Sequence, residues 1–208
     1  VRMKVIAASC AGVALVGVSV TAYADAGVSL PLGSGGGQCS LEWSKPGITM
    51  GSWKPAEGIS GPSAAFTAAT GTLNLSADPT TLLTPEALAA ATTLTTEANG
   101  GFAFDNGRGV LVEVSSPNAT LPAGTVSLLV KSPAHPDGVR IPAFQYDTPT
   151  TFTPKVDSLL PLKVSVALDG IKATMTPELA AELNTTFGAE TAAAGDTLGV
   201  CKADFTAG

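Results

Sequence analysis

The chain has 208 residues and a formal net charge of −6, with 13% charged residues, 5% aromatics, one histidine and three cysteines. Net acidity excludes the basic surface that nucleic-acid binding needs. A hydrophobic content of 45% excludes acidic disorder. One histidine and three cysteines cannot supply a histidine-rich or all-cysteine tetrahedral metal site, and no motif calls for a cofactor.

Arg2 and Lys4 precede an apolar stretch over residues 5–20, and Thr21-Ala22-Tyr23-Ala24-Asp25-Ala26 follows. A basic start, an apolar middle and an Ala-x-Ala site are the parts of a secretory signal peptide, here residues 1–24. The apolar stretch is shorter than the roughly 20 residues a spanning helix needs, so no membrane span is expected after cleavage. The Ala, Gly, Val and Thr bias fits a GC-rich bacterial source, and Val1 before Arg-Met-Lys fits a non-standard start codon. Removing the leader takes two of the eleven basic residues with it and lowers the net charge to −8. Cys10 leaves too. The remaining pair, Cys39 and Cys201, reads as one disulfide in an exported protein.

Residues 25–38 are rich in glycine and are expected to form a flexible lead-in. A mostly β domain is expected over residues 39–208 as an antiparallel β-sandwich or barrel-like domain with two short helices. Strand runs are predicted at residues 40–43, 65–77 (with Gly71 a candidate bulge), 109–116, 125–131, 162–168 and 197–205. Val110, Val112 and Val114 share one face, as do Val126, Leu128 and Val130, and Leu162, Val164, Val166 and Leu168. Two segments depart from this period: Leu83-Thr84-Pro85-Glu86 and Met175-Thr176-Pro177-Glu178. Each offers Thr as N-cap, Pro at the first helical position and Glu near the positive helix end. In the second helix Leu179, Leu183 and Phe187 form an apolar face, and Gly188 is the expected stop. In the first, the Thr92-Thr93 and Thr95-Thr96 pairs shorten the helix. The segments lie 92 residues apart. Either a duplicated β-helix-β half or a common helix start met twice accounts for them.

Catalytic groups are scarce. Any Ser-His-Asp arrangement has to use His135, which lies in the turn sequence Ser132-Pro133-Ala134-His135-Pro136-Asp137-Gly138. No Gly-x-Ser-x-Gly elbow or P-loop accompanies it. Asp105-Asn106-Gly107-Arg108-Gly109 reads as a hairpin turn, since Asn-Gly supplies positive φ angles. Trp43 is expected in the core. Trp53, amid Gly, Ser, Lys and Pro, is expected to be partly exposed and available for contact.

Leu41-x-Trp43 and Ala173-Thr174-Met175-Thr176 resemble fragments of secreted actinobacterial haem-binding β-domains. The resemblance covers these fragments alone and implies an aromatic ligand near the first strand. That ligand is missing here, Tyr146 being the only tyrosine after the leader. No family is assigned from it. The sequence therefore reads as a secreted or extracytoplasmic, non-catalytic binding or structural protein of a bacterial envelope, with an unknown extracellular partner. A small-ligand (haem or lipid) carrier using Trp53, Tyr146 or His135 is the alternative, as is a carboxylate-dependent hydrolase of wall polysaccharide.

Overall fold

The computed structural model describes residues 27–82, 84–146 and 152–208. The expected leader lies outside the described residues. Within them the chain forms eleven strands and two helices: β1 (Val28–Leu41), β2 (Thr49–Lys54), β3 (Gly58–Ser60), β4 (Ser63–Leu75), α1 (Pro85–Ala91), β5 (Thr92–Asp105), β6 (Leu111–Leu121), β7 (Thr125–Lys131), β8 (Val139–Gln145), β9 (Thr153–Leu159), β10 (Leu162–Met175), α2 (Pro177–Phe187) and β11 (Thr197–Ala207).

All strand pairings are antiparallel. They run β3-β2-β5-β4-β1-β11-β10-β8-β7-β6, and a further β5–β6 pairing closes eight of the strands into a ring. The mostly β, barrel-like expectation is thus met. Closure removes the exposed edges that an open sheet of this size would leave. It is narrowest at β10–β8, where only Thr174↔Gln145 and Met175↔Phe144 pair. β2 and β3 extend the sheet from β5, and β9 extends it from β10.

One expectation needs correction. From Val28 onward the glycine-rich segment is not a flexible lead-in: it is β1, paired with β4 on one side and β11 on the other. Glycine disfavours a strand interior through its entropy. Here hydrogen bonding along both edges offsets that cost, and the neighbours approach too closely for a side chain. A Cβ on Gly35 would run into the Phe205 ring, and one on Gly36 would lie 2.5 Å from the Phe66 carbonyl oxygen.

Both helix starts form as the sequence predicts. Thr84 accepts from the Ala87 amide at 3.2 Å and Thr176 from the Leu179 amide at 3.3 Å, each with Pro at the helix start. α1 ends at Ala91, and the threonines that weaken it open β5 as Thr92 and Thr93. Each helix joins two strands that pair with one another, β4 with β5 and β10 with β11. The bulge expected at Gly71 falls slightly earlier, as a register shift between Ala68 and Thr70.

Candidate functional site

One half of the barrel is packed solid. Trp43, Phe102, Phe104, Val112, Val114, Val130, Met175, Leu179, Leu183 and Leu198 are all buried. Trp43 meets Phe104 edge-on at 5.1 Å between ring centroids, and Phe102 meets Phe104 at 5.7 Å. A void beside Met50, Phe102 and Leu198 measures only about 10 Å³.

The other half holds a cavity of about 100 Å³ that is partly open to solvent. Its wall takes residues from all eight ring strands: Gly37 of β1, Phe66 of β4, Ala98 of β5, Ala119 and Leu121 of β6, Val126 of β7, Phe144 of β8, Leu168 and Ile171 of β10, and Ala203 and Phe205 of β11. The space is therefore the barrel lumen. It stays open where β1 contributes glycine and its neighbour β11 contributes Ala203 in register with Gly37. Cys39, Cys201 and Phe144 border both this cavity and the small void of the packed half, so they form the partition between the two. The expected disulfide is present: Cys39 and Cys201 face each other across β1 and β11 and are bonded.

The lumen wall contains no carboxylate. Of its polar residues, Gln38 donates to the Ser63 hydroxyl at 2.6 Å, Lys202 is exposed, and Thr96 and Tyr146 are engaged by backbone carbonyls. The Thr96 hydroxyl donates to the Thr70 carbonyl at 3.3 Å, and the Tyr146 hydroxyl donates to the Ala123 carbonyl. Burial pushes the Tyr146 phenol up to about 12, so the neutral, donating form persists through ordinary pH.

The candidate contact residues are not brought together. Tyr146 lines the lumen. Trp53 is half-buried in β2, opposite Ile59 of β3. His135 sits in the β7–β8 turn, where its Nδ1 lies 3.2 Å from a Glu182 carboxylate oxygen on α2. The Ser132 hydroxyl donates to the same carboxylate at 2.5 Å and accepts the Ala134 and His135 amides, both at 3.1 Å. In a hydrolytic triad the imidazole stands between hydroxyl and carboxylate. Here the carboxylate stands between the other two. The hydroxyl therefore faces the carboxylate and not the imidazole, and the trio ties a turn to a helix.

No sequence motif marks Glu182, which reads as one more exposed helix acid but is buried. Its position beside Leu183 and one turn on from Leu179 is the only signal of its burial. Asp196, which no sequence motif marks, accepts from the Trp43 indole at 3.0 Å and the Ala193 amide at 3.2 Å and lies 3.5 Å from Lys45 Nζ. Burial raises its carboxyl pKa, but the Trp43, Ala193 and Lys45 interactions outweigh burial and hold it below the usual value.

Among the described residues no group of three or more His, Cys, Asp or Glu side chains is placed to hold a metal ion. No described helix is long and apolar enough to cross a membrane. The fold and site together define a closed antiparallel barrel with an apolar lumen. The chain is similar to the C-terminal domain of HtaA from Corynebacterium glutamicum, with 12% identity, a TM-score of 0.48, and coverage of 86% of this chain and 99% of that chain. No family model matches the chain, and no curated protein sequence does.

Proposed function

We propose that this is a secreted, non-catalytic binding protein of a bacterial envelope whose barrel lumen receives an apolar group. The observation that carries the reading is the lumen itself, a mostly apolar cavity walled by all eight ring strands, in which the Thr96 and Tyr146 hydroxyls both donate to backbone carbonyls. Export is supported by the leader-like start and by the disulfide, a bond typical of oxidising compartments. Absence of catalysis is supported by a carboxylate-free wall and by a histidine held against Glu182.

Size selects among apolar ligands. An apolar cavity of roughly 150 Å³ holds benzene, whereas drug-sized ligands need about 300 Å³ or more. At about 100 Å³ the lumen accommodates a short alkyl segment or a small ring and is too small for a haem macrocycle. Tyr146 also suits an iron ligand poorly, because ionising it is costly. Between the two carrier readings, the alkyl one is favoured.

Methyl NMR of the purified protein, titrated with hexanoate, dodecanoate and benzene, tests this. Saturable shifts are expected at Leu121, Val126 and Leu168, and Ala119→Leu, which fills the cavity, should abolish them while the fold persists. No saturable shift with any of the three, or shifts indifferent to Ala119→Leu, overturns the reading.

A further inference from the structure

A second cavity, of about 350 Å³, lies apart from the lumen and has the opposite character. Lys45, Pro46, Gly47 and Ile48 line it from the β1–β2 connection, Asn106 and Arg108 from the β5–β6 hairpin, and Phe187, Glu190 and Thr191 from the end of α2 and the loop beyond. Its volume falls within the range of small-molecule sites.

Each of the three contributing turns is fixed by its own hydrogen bonds. The Ile48 amide donates to the Lys45 carbonyl at 3.1 Å. Asp105 accepts the Gly107 amide at 2.8 Å, and Asn106 accepts the amides of Arg108 and Val110 at 2.9 and 3.2 Å. The Thr191 hydroxyl donates to the Gly188 carbonyl at 2.7 Å. Such turns hold their backbones in place before a ligand arrives, which lowers the ordering cost of binding.

The charges in the cavity are mixed. Lys45 is steadied by Asp196, which the Trp43 indole and the Ala193 amide hold in turn. Among the described residues the Arg108 guanidinium and the Glu190 carboxylate have no partner. Glu190 also sits at φ 67°, a left-handed conformation uncommon for a non-glycine residue. The C-terminal end of α2, with its negative dipole, reaches the cavity beside Glu190. The β1–β2 and β5–β6 turns thus bring cationic groups to the cavity and the loop after α2 an anionic one, with Phe187, Ile48 and Pro46 supplying apolar surface.

We propose that this cavity binds a small zwitterion of the dipeptide class. Its carboxylate is received by Arg108 and Lys45, its ammonium by Glu190, and its apolar side chain by Phe187 and Ile48. A simple anion would meet Glu190 unpaired, and a simple cation would meet Arg108 unpaired. The proposal is independent of what the lumen holds.

Isothermal titration calorimetry of the purified protein with alanyl-phenylalanine, its N-acetylated form and its C-amidated form is the test. Saturable binding of the free dipeptide is expected, with each capped form about tenfold weaker, the scale of one lost charge-assisted contact. Arg108→Ala should weaken the free dipeptide about tenfold and the amidated form little, and Glu190→Gln should spare the acetylated form in the same way. Both side chains are exposed turn residues, and unchanged melting temperatures would verify the fold of the variants. No saturable heat up to about 10 mM, a range covering even millimolar affinity, overturns the proposal. So does equal affinity for free and capped forms, or indifference to both substitutions.

Discussion

Trp43, Asp196 and Lys45 show how one buried aromatic organises charge at the surface. The indole has a single donor, and burying it unpaired would be costly. Asp196 accepts it at 3.0 Å and remains close enough to Lys45 to steady the ammonium. Because the Asp196 carboxyl lies below its unfolded value of about 4, its contribution is fully present above that pH and is lost as pH falls through the folded value. The melting temperature should therefore decline on acidification below about pH 4, and Asp196→Asn should flatten the decline. At neutral pH that substitution is expected to cost about 1–2 kcal/mol, read from chemical denaturation.

At the scale of elements, α2 is fastened at two points. Thr176 caps its start and also donates to the Pro142 carbonyl of β8 at 2.8 Å, while Glu182 reaches across to Ser132 and His135 in the β7–β8 turn. The helix is thereby locked over β8, the strand with the thinnest pairing to β10. Ser132→Ala removes the donor to Glu182 and the acceptor of two turn amides together. It should destabilise by about 1–3 kcal/mol and speed amide hydrogen exchange at Ala134 and His135. A change confined to global stability, with those amides still protected, would contradict the tethering role. The helix starts were legible in the sequence because a Thr-Pro-Glu start acts within one turn. The tether was not, since Ser132 and Glu182 are 50 residues apart.

For the molecule as a whole, the disulfide joins β1 and β11, which come from opposite ends of the described chain and lie side by side in the ring. It spans 162 residues of sequence. Chain entropy assigns such a closure roughly 5 kcal/mol, an upper figure because real unfolded chains are compact. Reduction, or Cys39→Ala with Cys201→Ala, should lower the denaturation midpoint substantially, by as much as about 5 kcal/mol in unfolding free energy. Since the bond also partitions the barrel, the double variant should broaden lumen methyl signals at Leu168 and Phe144-contacting residues.

Some of this architecture follows from local chemistry. Alternation of valine and leucine marks β6, β7 and β10, and β7 forms over the residues its pattern predicts, 125–131. Threonine and proline place both helix starts, and counting cysteines after removal of the expected leader leaves only one pair to bond. Other features depend on partners distant in the chain. Glycines carry no side-chain period, so β1 reads as unstructured until β4 and β11 close on both its edges. The lumen exists only because small residues of β1 and β11 meet in register, and the mixed-charge cavity only because three separate turns converge. Sequence alone determined which residues favour strand, cap or bridge; ring closure decided which of them face an open space.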